Sequence, residues 1–445
     1  MPTSTSSRAR DREILRLAVP AFLALVSEPL FLLADASIVG HLGTVPLAAL
    51  GIAGAVVQTA VGLCVFLAYG TTASVARRIG SGDVAGAVSQ GLDGIWLAVL
   101  IGVPGTALGS LLAGPLVGLF GPATDVAGPA TSYLRLAMLG VVPLLVVMAA
   151  TGILRGLQDT RTPLLVAVVG DRANVGLHLL RVYGLHLGLV GSAIGSDLAQ
   201  AGTALALLAA VLRSARSYGV PRRPHPAGIR RAAHAGAALV VRTLTLRASL
   251  LVTTYAAARL GSTGVATHQL AMTVWTFLAF ALDAIAIAAQ ALTGRSLGAG
   301  ALEETREVTR RMTRWGLGAG VLTGALLALA APLLGPLFTN DPQVRAFLWP
   351  VLLVAAVLQP VAGVVFVLDG VLIGAGDGRY LARGGLLVLA VFAPLALAAP
   401  QLAGPDHPGS GLVWLWAAFG LAFIGARAVV LVRRARGTAW LVTGA

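Results

Sequence analysis

The ten residues Gly152 to Arg161, GILRGLQDTR, return at Gly370 to Arg379 as GVLIGAGDGR. Glycine, leucine, glycine, aspartate and arginine keep their places across an offset of 218 residues. The same offset relates His41-Leu42-Gly43 to Arg259-Leu260-Gly261, and Arg77, Gly80 and Gly82 to Arg295, Gly298 and Gly300. It also relates Leu119-Phe120 to Leu337-Phe338. Four separated regions in one gapless register indicate a duplicated chain, an organisation common among secondary transporters.

What surrounds these motifs is hydrophobic. The 445 residues are 57% hydrophobic and 11% charged, with a mean hydropathy of +0.86, far from the roughly 25% charged content of soluble domains. Windows long enough to cross about 30 Å of hydrocarbon centre on 14–40, 46–72, 90–116, 132–154, 162–184, 188–212, 236–260, 265–292, 315–338, 346–374, 382–402 and 410–432. The expected class is therefore an all-α polytopic membrane protein of about twelve helices in two pseudo-symmetric six-helix lobes. Residues 1–212 form the expected N-terminal lobe, 213–235 a cytoplasmic linker and 236–445 the C-terminal lobe. Six helices return the chain to its starting side, so the halves share topology and are expected to flank a cleft about a pseudo-twofold along the membrane normal. The first hydrophobic stretch is too long, and lacks a small-residue cleavage site, for a signal peptide.

Arginine gives the orientation. All 32 basic residues are arginines, and 25 of them fall in alternate connections or at the two ends of the chain, which places both termini in the cytoplasm by the positive-inside rule. The formal charge of +14 thus reflects topology, not nucleic-acid binding. Absence of lysine excludes a Walker-type ATPase and a lysine Schiff base. Cys64 stands alone, which excludes an intramolecular disulfide, and its apolar run reads as packing. The seven histidines form neither an HExxH pair nor a cysteine-histidine cluster, so no metal, organic cofactor or enzyme chemistry is expected.

Three stretches carry a family resemblance. Pro20 to Leu50 (PAFLALVSEPLFLLADASIVGHLGTVPLAAL), Arg242 to Gly294, and Phe366 to Leu381 (FVLDGVLIGAGDGRYL) resemble the DinF-like branch of the multidrug and toxic compound extrusion (MATE) family. With the repeat, the resemblance covers about residues 11 to 435. It implies two lobes around a central cleft and export of organic, often cationic or amphipathic compounds against proton or sodium entry. The expected partners are a small organic substrate and membrane lipid, with the chain a monomer in the inner membrane.

Carboxylates inside spans are functional candidates by their cost. Asp35 lies within the first span, where the resemblance implies ion coupling; its counterpart at 253 is a threonine. Glu28 lies nearly on the same helical face, and Pro29 beside it offers a kink and a gate. On the fifth span Asp171, Asn174 and His178 form one polar stripe. The resemblance implies an acidic or amide residue where His178 stands. Imidazole ligates sodium poorly but carries protons well, so the expected coupling ion is H+, with Na+ as the alternative. On the sixth span Ser196 occupies the expected hydroxyl position, and Asp197 and Gln200 follow, Asp197 open to a salt bridge with Arg172 or Arg181. The second half adds His268, Asp283, Gln290 and Asp369 as substrate or gating candidates, with Arg242 and Arg247 as possible ion partners. The expected activity is a cation-coupled antiporter working by alternating access. A flippase for a lipid-linked substrate and an integral-membrane enzyme are the alternatives.

Overall fold

In a computed structural model, described over residues 7–402 and 408–444, 12 helices are long and apolar enough to cross a membrane. They are α1 Arg8–Gly40, α2 Thr44–Gly80, α3 Val84–Leu111, α4 Thr124–Gly156, α5 Arg161–Gly184, α6 Gly188–Ser217, α7 Pro226–Ala258, α8 Gly261–Gly298, α9 Leu302–Phe338, α10 Pro342–Gly374, α11 Gly378–Gln401 and α12 Gly409–Arg436. The chain is a multi-pass membrane protein.

Most helices outrun the hydropathy windows because polar and charged turns extend them beyond the hydrocarbon. Thus α9 starts at Leu302 where hydropathy suggests 315, and its first turn carries Glu303 and Glu304, which suit the positive end of the helix dipole. The arginine-rich connection expected over 213–235 is non-helical only at 218–225. The span expected over 90–116 ends at Leu111, and a separate short helix, Ala113–Gly118, follows.

Two compact units divide the chain, one of Val19–Gly236 and the other of residues 7–18 with Ala237–Gly444. Helix α1 therefore begins among the contacts of the second unit and continues in the first. Within the second unit its opening turns are held by ion pairs: Arg10 to Glu307 at 2.5 Å, Arg295 to Glu13 at 2.8 Å, and Arg311 to Asp11.

The 218-residue register recurs as geometry inside each unit. In the first, a Cβ at Gly152 of α4 would meet the carbonyl oxygen of Ala68 on α2, and one at Gly156 that of Thr72. In the second, Gly370 of α10 faces the carbonyl of Ala286 on α8, and Gly374 that of Gln290. The partners 68 and 286, and 72 and 290, are again 218 apart. Small residues at these points let the backbones touch, which is how membrane helices gain packing energy without a hydrophobic drive between them. Left-handed turn residues obey the same offset: Gly43 and Gly261, Gly82 and Gly300, Gln158 and Gly376 all have positive φ. We expect Gly370→Ala to lower thermal stability by about 1–3 kcal/mol, since backbone faces the new methyl. Gly51→Ala, with open space around it, leaves the melting temperature of the purified protein unchanged.

Helix starts follow ordinary capping chemistry. Asp341 accepts from the Gln343 and Val344 N–H groups with Pro342 in the first turn, and Asp159 accepts from the Arg161 and Thr162 N–H groups. Asp83 accepts from the Gly86 N–H at 2.8 Å and from Arg78 at 2.6 Å, and these donors hold its carboxyl below the usual carboxylate range. A depressed folded-state pKa contributes stability above the unfolded value and loses it as pH falls through the folded one. Asp83→Ala is expected to cost about 1 kcal/mol, and parent and variant melting curves should converge only below about pH 4.

Candidate functional site

The first unit gathers a polar cluster in its apolar interior. Asp35 on α1 is 5% exposed and His178 on α5 is fully buried. His178 Nδ1 lies 2.8 Å from Asp35 Oδ1, and its Nε2 lies 3.0 Å from the Ser196 hydroxyl on α6. Ser192, one turn before Ser196, donates to the same Asp35 oxygen at 3.1 Å. The phenol of Tyr133 on α4 lies against both serines. Four helices thus line one cluster.

Local sequence explains why the ring fits. A Cβ at residue 195 would fall 2.8 Å from His178 Cδ2, so Gly195 lets α6 approach the imidazole flank. Ser192 and Ser196 are four residues apart and share a face, which sets one hydroxyl on the carboxylate and the other on the far imidazole nitrogen. Just after His178, α5 widens into a π-turn over Leu180–Gly184, a deviation common beside functional groups. Asn174, one turn before His178, is 5% exposed and its Oδ1 has no protein donor among the described residues.

The polar stripe on α5 is thereby divided between partners. His178 meets Asp35, whereas Asp171 lies beside Ser27 of α1, whose hydroxyl donates to the Ala24 carbonyl. Asp197 makes no salt bridge among the described residues, so the expected pairing with Arg172 or Arg181 does not form; its Oδ1 and the Gln200 Oε1 crowd Gly140 of α4 instead. Pro29 lies inside α1, which stays helical from Ser7 to Gly40; the Glu28 side chain lies outside the described residues. Tyr133 and Ser192 were not singled out by sequence. Ser192 could have been found from its four-residue spacing to Ser196, and Tyr133 from a phenol inside an apolar span.

In the second unit the candidates separate. His268 is 1% exposed, 3.5 Å from the Thr254 hydroxyl and 5.9 Å from the Trp416 ring, an arrangement of packing. Gln290 is buried with its backbone against Gly374. Asp283 is half-buried on α8. Thr253, the repeat counterpart of Asp35, turns its hydroxyl onto the Ser249 carbonyl at 2.8 Å, so nothing titratable takes that place. Asp369 is gripped by Arg242 of α7 and by Arg427 of α12, the latter at 3.0 Å. Arg427, which sequence counts among the topological arginines of the C-terminal end, is in fact a buried ion partner.

Comparison with known proteins agrees with this architecture. The MatE family matches residues 20–180 and 238–396. The DNA damage-inducible protein F of Escherichia coli is 28% identical over 95% of this chain and 92% of its own length. Protein DETOXIFICATION 44, chloroplastic, of Arabidopsis thaliana is 30% identical over 91% and 78%. A MATE crystal structure in the bent conformation superposes with a TM-score of 0.89 at 22% identity, covering 97% of this chain and 96% of that one. One in the straight conformation gives 0.85 at 21%, covering 95% and 96%. With a match across most of both halves and relatives of this kind, the chain belongs to the MatE family, the multidrug and toxic compound extrusion transporters.

Proposed function

We propose that the chain is a proton-coupled antiporter that exports organic, cationic or amphipathic compounds by alternating access, and that the Asp35–His178 pair exchanges the proton. The observation that carries this reading is the buried carboxylate–imidazole contact with a hydroxyl on the imidazole's other nitrogen. Nδ1–H donates to Asp35. With the ring neutral, Ser196 donates to Nε2 and the pair carries one negative charge; with the ring protonated, Nε2–H donates to Ser196 and the pair is neutral. A cation is attracted to the first state and not to the second, so proton and cation compete, as antiport requires.

Protonation also reverses the Ser196 hydroxyl, whose hydrogen then turns toward Tyr133. The change of charge is read by groups on α1, α4, α5 and α6 together, a local electrostatic event able to bias two helix arrangements. That relatives have been crystallised in straight and bent conformations supports a pair of such arrangements. Sodium is disfavoured because a hard cation needs oxygen ligands and the ring offers nitrogen. The arginine-rich connections support an inner-membrane location with both termini cytoplasmic.

The reading is tested in everted vesicles or proteoliposomes loaded with a fluorescent organic cation under separately imposed gradients. A proton gradient at zero sodium drives uphill movement that a protonophore abolishes. Uphill movement under sodium alone, with none under protons, contradicts the reading.

A further inference from the structure

On α6, in the first unit, Asp197 and Gln200 stand three residues apart and so share a face. That face meets α4 where α4 departs from α-helical winding: Met138–Gly140 is a short 3₁₀ turn inside the span, a break of the kind that often marks a functional point. A Cβ on Gly140 would stand 2.5 Å from Asp197 Oδ1 and 2.3 Å from Gln200 Oε1. Both oxygens therefore converge on one point and are no more than 4.8 Å apart. Glycine leaves room for them, and a larger residue would not.

Neither oxygen has a hydrogen-bond donor among the described residues, and both are shut off from the surface. As a carboxylate, Asp197 would set a buried negative oxygen against a second acceptor, and burial penalises that arrangement heavily. The backbone of Gly140 is the polar group beside it, and no cation stands there among the described residues. A single proton resolves both oxygens. A carboxylic acid donates through its O–H and the facing amide oxygen accepts, so one bond satisfies two groups that a carboxylate would leave bare. The neighbouring charge points the same way. Tyr133 lies within electrostatic reach of both Asp35 and Asp197, and two ionised carboxylates about one phenol in an apolar interior repel each other. Asp35 has the His178 ring and the Ser192 hydroxyl to hold its charge, and Asp197 has no such partners.

We infer that Asp197 is held as a carboxylic acid whose Oδ1–H is donated to Gln200 Oε1 against the 3₁₀ turn of α4. Apolar sites elsewhere keep a carboxyl neutral in this way so that it can donate. Asp197 is then a positioning residue. It leaves the Asp35–His178 pair to set the charge that a cation meets beside Tyr133. That role rests on the proton-pair reading, whereas the protonation of Asp197 does not.

The test is infrared spectroscopy of the purified full-length chain in detergent at neutral pH. A protonated carboxyl has a C=O stretch distinct from that of a carboxylate, and the band moves on exchange into D2O. We expect the parent to show such a band, Asp197→Asn to lose it, and Asp35→Asn to keep it, which separates this proton from that of the pair. Gln200→Leu removes the acceptor and is expected to shift the band to higher frequency. Because a variant could disturb folding, the parent labelled with 13C-aspartate is measured as well, and its band should move with the label. A band that behaves in this way in a chain driven by sodium alone would contradict the coupling reading and leave Asp197 as inferred. Absence of a protonated-carboxyl band from the parent overturns the inference, and is the result expected if the Gln200 amide instead donates to an ionised Asp197. An unchanged band in Asp197→Asn, or an unmoved one in Gln200→Leu, overturns it equally.

Discussion

Asp35→Asn protein should insert, fold and melt like the parent yet accumulate no substrate against a gradient. The side chain keeps its size and still accepts from Ser192, so the 3.1 Å hydrogen bond has a chemically similar replacement. What it loses is the negative charge that the ring and a cationic substrate compete for. One-for-one exchange of a proton for a monovalent cation moves no net charge, so the pH gradient drives it, and one pH unit is worth about 1.4 kcal/mol or roughly a tenfold concentration ratio. That ratio should collapse to one in Asp35→Asn proteoliposomes holding a one-unit pH gradient at zero potential, while downhill movement of the same compound persists. Substrate accumulation by the variant equal to that of the parent across a range of pH would make Asp35 structural and move the search to Asp171 or Asp197.

Replacing His178 by aspartate should change the ion and not merely the rate. The variant would set a second carboxylate beside Asp35, with the Ser196 and Ser192 hydroxyls and the Asn174 carbonyl nearby, and so supply the oxygen donors that a hard monovalent cation needs. Two carboxylates at this distance also resist joint ionisation, which a bound cation relieves. We therefore expect His178→Asp to show sodium-stimulated transport that the parent lacks, at least tenfold above its sodium-free rate, an effect of about 1.4 kcal/mol. A His178→Asp protein that stays indifferent to sodium would mean that the imidazole does not decide ion choice.

Much of this was legible before any coordinates, for reasons that differ between fold and site. Helix number follows from hydropathy, which lipid enforces on every span. The duplicated halves could be read because glycines such as Gly152 and Gly370 are fixed by backbone contact, and contact of that kind tolerates no larger residue. Helix ends were less legible: the charged turns of α9 extend a span beyond any apolar window. Asp35 and His178 could each be named, but spacing within one helix says nothing about residues on another, so their meeting became visible only in three dimensions. The buried role of Arg427 was hidden by its neighbours, since an arginine close to Arg433, Arg434 and Arg436 reads as part of the cytoplasmic cluster. Serine is common in membrane helices, so the four-residue spacing of Ser192 and Ser196 gained its meaning only when Asp35 was placed against Ser192.

Proton release on substrate binding tests the central claim most directly. Purified protein in lightly buffered detergent solution, at several starting pH values, is mixed with a saturating organic cation while pH is followed with an indicator dye. Competition at the Asp35–His178 pair predicts release of up to one proton per chain, falling toward zero as pH rises and the ring is already neutral, and no release by Asp35→Asn. Binding of the cation with no proton released at any pH, or with equal release by Asp35→Asn, would contradict it.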